Sequence, residues 1–457
     1  MTSPLIVDLD LIRKYNKPGP RYTSYPTAPQ FRDAADSDEA WKAMQLSNQP
    51  DRPLSLYFHL PFCDTLCWFC GCTTVITRNH AVTTPYLDRL QQEIELRAPL
   101  VHPDRPVVQM HYGGGTPTFL SPDEILRLND IIRSRFRFDP EAELGVEMDP
   151  RELTRDHVAA LARSGFNRAS IGVQDNDPRV QKAVNRIQPL EMTSTVIQWI
   201  REEGFSSLNI DLIYGLPYQT VASFEKTLDE ILALSPDRFA VFSYAHVPWM
   251  KPAQKILKDE SLPSPEMKLE LLKMTIEKLT SSGYVYIGMD HFARQDDELA
   301  AAQKAGTLQR NFQGYSTRSG ADIHAYGMSA ISQTEELYAQ NLKEIGDYGA
   351  ALDRNKWPLA KICLLTDDDR IRRVTIQRLM CDMALDYAEM SRLAKIDFAD
   401  YFRGEIENLE DLEKDGLLVR SASGIDVTQL GRLLIRIIAM RFDAYYKEGQ
   451  ARFSKTV

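Results

Sequence analysis

LSLYFHLPFCDTLCWFCGC, residues 54–72, is the stretch from which the rest of the chain is read. Its first seven residues form an apolar, aromatic-rich run of strand length between Pro53 and Pro61. Four of the chain's six cysteines then fall between 63 and 72. Thiolates spaced C-x3-C-x2-C in one loop can wrap three corners of a cubane iron–sulfur cluster and leave the fourth iron open, and open coordination lets a substrate bind the metal. The competing reading is a zinc site on Cys63, Cys67, Cys70 and Cys72. Structural zinc, however, usually draws its ligands from two separated pairs, whereas these four cysteines sit together directly after a strand. Cys72, two residues beyond Cys70, would close the fourth corner if it bound, so it is assigned a structural or catalytic-support role. Cys363 and Cys381 read as core residues.

Working outward, strand-like runs recur at 54–60, 107–112, 143–148, 168–173, 208–215 and 238–244. Helical patterns lie between them at 86–100, 122–135 behind a Ser121 cap, 156–164, 192–203, 223–234 and 265–281. Six such units in series predict a parallel sheet with right-handed crossovers, a partial (β/α)6 TIM-like barrel whose ligand site lies at the C-terminal ends of the strands. Residues 1–36, rich in Pro, Tyr and Thr, read as an arm, 37–364 as the catalytic domain, and 365–457 as a smaller, mainly helical domain. In that last part the pattern predicts helices over 368–390 and 409–418, a hairpin at 417–427 and a final helix over 430–442.

Composition narrows the function. With 457 residues, 43% apolar content and a net charge of −10, the chain is an ordinary globular protein without a non-specific grip on nucleic acid. It has no run long and apolar enough to span a membrane, and its N-terminus lacks the features of a secretory signal. A cytoplasmic location is expected. The clustering of the cysteines points to metal chemistry in a reducing compartment rather than a disulfide framework.

Other polar residues follow the strands. GGGTPT (113–118) lets backbone approach a ligand closely, and Glu147, Gln174, Arg186 and Asp211 recur at or near successive strand ends. Carboxylates there suit ribose hydroxyls or an amino group, and an arginine suits a carboxylate. His59, His111, His246 and His291 form no metal-binding pair and read as core or supporting residues.

CDTLCWFC (63–70), with an aromatic before the last cysteine, resembles the signature of the radical S-adenosylmethionine superfamily. CGC (70–72) resembles that of its oxygen-independent coproporphyrinogen III oxidase (dehydrogenase) branch. PRYTSYPT (20–27), HYGGGTPT (111–118), EMDPR (147–151), GVQD (172–175), NIDLIYGLP (209–217), MDHFA (289–293) and RNFQGYST (310–317) extend the resemblance over nearly the whole chain. It implies a [4Fe–4S] cluster on Cys63, Cys67 and Cys70. It also implies two molecules of S-adenosylmethionine, one at Tyr57, Gly114, Glu147 and Ile331, the other at Phe69, Gly115, Thr116, Gln174, Arg186, Asp211 and Ala245.

The implied reaction is anaerobic oxidative decarboxylation of two propionates of coproporphyrinogen III to vinyl groups by a 5′-deoxyadenosyl radical, giving protoporphyrinogen IX. Cys72, Tyr57 and Arg21 are the implied catalytic residues, Arg21 lying in an arm that covers the substrate and pairing with a propionate. The implied partners are the porphyrinogen and a reducing flavodoxin or ferredoxin, and the implied state is a monomer. His324, Ala325, Tyr326 and Asn176 depart from the family pattern and bear on pocket shape. A haem-binding chaperone of the same fold is the alternative, disfavoured by Cys72, the arm and the helical tail. A DNA-binding regulator, suggested by the helix–hairpin–helix ending, is disfavoured by Glu405, Glu407, Glu410, Asp411 and Glu413.

Overall fold

The computed structural model describes Leu5, residues 7–447, Gly449 and Phe453. It resolves into two compact units. The larger comprises Arg32–Leu271 and Gly320–Leu364, and the smaller comprises the chain up to Phe31, Leu272–Ser319 and the chain from Leu365 on.

In the larger unit, six strands run in sequence: β1 (Leu54–Leu60), β2 (Val107–Gly114), β3 (Phe138–Met148), β4 (Arg168–Gln174), β5 (Ser207–Tyr214) and β6 (Arg238–Ser243). Each pairs in parallel with the next. The crossovers are the helices α1 (Thr83–Arg97), α2 (Pro122–Arg133), α3 (Arg155–Arg163), α4 (Leu190–Glu202) and α5 (Val221–Leu232). A parallel strand covered on both faces needs apolar residues at nearly every position, and β1 is buried at six of its seven. The predicted Ser121 cap is present as a capping box: Glu124 N–H donates to the Ser121 hydroxyl, and the Glu124 carboxylate accepts from the Ser121 N–H.

Beyond β1 the sheet continues in a way the periodicity does not predict. Asp322–Tyr326 pairs with β1 in parallel, and Ile331–Gln333, Leu337–Asn341 and Leu359–Leu364 follow as an antiparallel meander edged by Arg32–Asp33. These strands are short, and their inward residues come from segments without a repeating pattern.

The smaller unit departs further from expectation. Residues 368–390 do not form one helix: Asp367–Asp382 ends where Met383 turns left-handed (φ +58°), and Ala384–Asp386 then joins a three-stranded sheet with Gly424–Val427 and Leu418–Arg420. The expected helix at 409–418 shortens to Glu410–Lys414. The last helix is broken into 3-10 turns around Ile435–Ala439. The N-terminal arm through Phe31 belongs to this unit, while Arg32–Asp33 edges the sheet of the larger one. Tyr22 and Tyr25 are buried in one core with Leu379, Phe398, Phe402 and Ile438. The Tyr22 hydroxyl donates to Asp443 at 2.9 Å, and the buried Arg436 guanidinium donates to the carbonyl of Pro20 at 2.8 Å.

Candidate active site

The cysteine loop leaves β1 at Leu60 and is fastened on every side by backbone. The N–H of Gly115 donates to Leu60 O at 2.9 Å and that of Thr116 to Phe62 O at 2.8 Å, so the turn after β2 lies against the start of the loop. Val75 N–H donates to Pro61 O and Thr77 N–H to Cys63 O, tying the loop's return to its entry. Farther along, Trp68 N–H donates to Val184 O at 3.0 Å, while Asn185 and Gln254 donate side-chain amides to Leu66 O and Phe69 O at 2.9 and 3.0 Å. Lys251 Nζ reaches Cys72 O at 2.9 Å.

The glycines after β2 are required by these contacts. A Cβ on Gly114, whose φ is +118°, would lie 2.7 Å from the His59 ring, and one on Gly115 would lie 2.4 Å from the carbonyl oxygen of Pro61. GGGTPT therefore braces the thiol loop as well as baring backbone.

All four cysteines of the loop face one cavity of ≈ 340 Å³. Phe69, Gly114, Gly115 and Thr116 line it, as do Glu147, Gln174, Arg186 and Asp211 from the strand ends. Tyr57, Ala245 and Ile331 are not among the lining residues. Tyr57 is half-buried, its hydroxyl 3.2 Å from His59 Nδ1 and its ring stacked on His111. Ala245 is exposed just beyond β6, and Ile331 begins a strand of the meander. Arg21 lies in the smaller unit, where its guanidinium pairs with Asp290.

Asp149 and Arg151, which motif reading did not assign, organise the thiols together with Arg186. Arg151 Nη2 lies 3.4 Å, and Arg186 Nη1 3.6 Å, from Cys67 Sγ. Asp149 accepts from both guanidinia, at 2.5 and 2.9 Å. Although burial alone would raise it, the charges of Arg186 and Arg151 bring the Asp149 carboxyl down to about 2. Thr116 Oγ1 lies 3.3 Å from Cys63 Sγ. The signal was present in EMDPR, where Asp149 and Arg151 directly follow β3.

The titrating groups fall into contrasting environments. The hydrogen bond from Cys72 brings the Cys70 thiol down to about 6, whereas burial pushes Cys63 up to about 12. Glu147 accepts from Gly114 N–H at 3.2 Å and lies 3.4 Å from His111 Nε2; these contacts outweigh burial and lower its pKa. Asp211, which accepts from Asn209 at 2.7 Å and from Ser170 at 3.3 Å, is pushed up to about 7 by burial and then by the charge of Glu147. Gln174, in the left-handed region at φ +72°, ends β4 where the register with β5 shifts.

The donor set fits an iron–sulfur cluster. Three thiols on one loop are spread round a cavity, and N–H groups of two arginines point at one of the sulfurs. Among the described residues no three His, Cys, Asp or Glu side chains close on a single metal ion. Cubane thiolates sit on separate irons and stand wider apart than the shell of one ion.

A radical SAM superfamily model matches residues 57–231, and a HemN C-terminal domain model matches 365–434. The chain is 50% identical over 441 residues to the oxygen-independent coproporphyrinogen III oxidase of Escherichia coli (strain K12), covering 96% of each. It is 46% identical to that of Synechocystis sp., covering 98% of this chain and 97% of the other. It superposes on the solved structure of E. coli coproporphyrinogen III oxidase, described as a radical SAM enzyme, with a TM-score of 0.92 at 48% identity, covering 97% of this chain and 100% of that one.

Proposed function

Because the chain belongs to the oxygen-independent coproporphyrinogen III oxidase family of the radical SAM superfamily, we infer that its thiol-lined cavity is where two propionates of coproporphyrinogen III become vinyl groups, giving protoporphyrinogen IX. The protein is an oxidoreductase that uses a [4Fe–4S] cluster and S-adenosylmethionine. When bound, these groups supply one-electron cleavage of the sulfonium and, through it, removal of a hydrogen atom from the substrate. Each propionate loses that hydrogen from its β-carbon, then CO2 and one electron.

Cys63, Cys67 and Cys70 hold the cluster, and Cys72 supports Cys70 by hydrogen bonding. Arg151 and Arg186 donate N–H to the Cys67 sulfur and are themselves fixed by Asp149. Glu147 and Asp211 offer carboxylates to the ribose hydroxyls and amino group of the cofactor. Two cofactor molecules divide the positions, with Tyr57, Gly114, Glu147 and Ile331 serving one and Phe69, Gly115, Thr116, Gln174, Arg186, Asp211 and Ala245 the other. Tyr57, held by His59 and His111, orients the first of them. The enzyme acts as a cytoplasmic monomer that takes electrons from a flavodoxin or ferredoxin. Among the described residues no helix is long and apolar enough to cross a membrane.

The observation that carries this reading is the convergence on one cavity of four thiols, two sulfur-directed guanidinia and three carboxylates. Anaerobic incubation of reconstituted protein with coproporphyrinogen III, S-adenosylmethionine and dithionite tests it. Protoporphyrinogen IX is the expected product, and its absence from cluster-loaded protein refutes the reading.

A further inference from the structure

Two segments that fasten the cysteine loop also carry an exposed apolar and basic face. The first is PRVQKAVNRI (178–187), whose Val184 and Asn185 hold the carbonyl and amide contacts to Trp68 and Leu66. The second is VPWMKPAQKILK (247–258), whose Lys251 and Gln254 bond to Cys72 and Phe69. Neither segment contains an acidic residue. Their inner sides share one core, in which Val180, Val184 and Leu257 pack with Trp68 and Phe69 of the loop.

Their outer sides are unlike the rest of this acidic protein. Trp249, Met250, Ile256, Ile187 and Tyr218 are each 50–65% exposed. The Arg179 guanidinium lies over the Tyr218 ring at 5.4 Å. Lys182, Lys255 and Lys258 are exposed around them, with Asp259 and Glu260 following at one border. Exposed aromatic and thioether side chains interspersed with cations on two segments that share a core, in a chain of net charge −10, have the composition of a protein interface rather than of ordinary surface.

We propose that this face docks the electron donor, and that the donor is an acidic low-potential flavoprotein of the flavodoxin class. The inference rests on the functional reading above, in which each S-adenosylmethionine cleaved takes one electron from outside the chain. Electron transfer falls off steeply with distance, so a donor must sit against the covering of the thiol loop. These two segments form one side of that covering, bonded to the loop at Leu66, Trp68, Phe69 and Cys72. A flavin's exposed edge is apolar, and in a donor ringed by carboxylates it complements exposed apolar side chains interspersed with Arg179, Lys182, Lys255 and Lys258. The donor gives up one electron, its flavin passing from the anionic hydroquinone to the neutral semiquinone, and the cluster is reduced by one electron.

Charge pairs at the rim of such an interface act on association and its salt dependence. The test compares the wild type with a Lys182→Glu, Lys255→Glu, Lys258→Glu triple variant and with Trp249→Ala. Turnover is driven either by photoreduced flavodoxin at varied concentration and salt or by dithionite. In both variants the half-saturating flavodoxin concentration is expected to rise about tenfold or more, and in the triple variant its salt dependence flattens. The dithionite-driven rate stays within about twofold of wild type. Unchanged flavodoxin dependence overturns the proposal. So does a parallel fall with dithionite, which would make the face part of the substrate site or of the fold, and so does saturation by a ferredoxin but not by flavodoxin. Absence of product from wild type with dithionite overturns the functional reading itself, and the docking face with it.

Discussion

Replacing Gly115 by alanine places a methyl group where backbone already lies. The new Cβ would stand 2.4 Å from Pro61 O, 2.5 Å from Pro61 C and 2.8 Å from Phe62 O, against an ordinary contact of at least 3.4 Å. The shortfall, 3.4 − 2.4 = 1.0 Å, cannot be absorbed by a rotating side chain, because all three atoms are main chain at the entry to the thiol loop. Either the turn after β2 or the loop must move by about that amount, breaking the bonds from Gly115 N–H to Leu60 O and from Thr116 N–H to Phe62 O. Overpacking of this kind costs roughly 1–3 kcal/mol. A displacement near 1 Å at a reacting centre lowers turnover on the order of 100-fold. The assay measures the thermal midpoint of the apo protein, iron and sulfide after anaerobic reconstitution, and the rate of S-adenosylmethionine cleavage. A few degrees of destabilisation with a much larger loss of rate is the expected pattern. A Gly115→Ala protein with full cluster content and a wild-type rate would show that the turn does not set the position of the thiols.

Cys63→Ala, Cys67→Ala and Cys70→Ala should each lose the cluster by iron and sulfide analysis, whereas Cys72→Ala should keep it; a full cluster in Cys70→Ala would make Cys72 a ligand. Arg151→Met removes a cationic N–H donor from the Cys67 sulfur and should lower the cluster's reduction potential in an EPR-monitored titration, an unchanged potential refuting the contact. Tyr22→Phe deletes a buried hydrogen bond to Asp443 and should destabilise the protein by about 1–3 kcal/mol in denaturant titration without changing cluster content. Asp211 titrates at about 7 when folded, against 3.8 as its ordinary value, so the folded protein binds a proton that the unfolded chain has released. Stability therefore falls as pH rises through that window, by up to about 4 kcal/mol at 1.36 per unit, and Asp211→Asn should flatten the apo protein's melting profile between pH 4 and 8.

The six parallel strands and their helices were legible because strands buried on both faces and helices buried on one leave different, regular patterns in the chain. The meander at 322–364 left none, since its strands are only three to six residues long and Asp322–Tyr326 and Leu337–Asn341 are buried at nearly every position, so no alternation marks them. The break at Met383 was invisible for another reason: a left-handed methionine carries no propensity signal, and the sheet that begins at Ala384 depends on strands at 418–427. At the site, the cysteine spacing declared its own chemistry within ten residues. Arg151, Arg186 and Asp149 needed the fold, because what matters is which sulfur they reach across the cavity. Arg21 needed the fold too: its partner Asp290 lies 269 residues away.

The fastening of the cysteine loop also sets an order of events during synthesis. The thiols belong to the first strand–helix unit to leave the ribosome, whereas Gln254, which holds the Phe69 carbonyl, follows 185 residues later. At about 5–20 residues per second, that gap is roughly 10–40 s in a growing cell. For that interval the nascent chain offers three thiols on an incompletely tethered loop. The loop's last tether therefore closes only after all six parallel strands have been made.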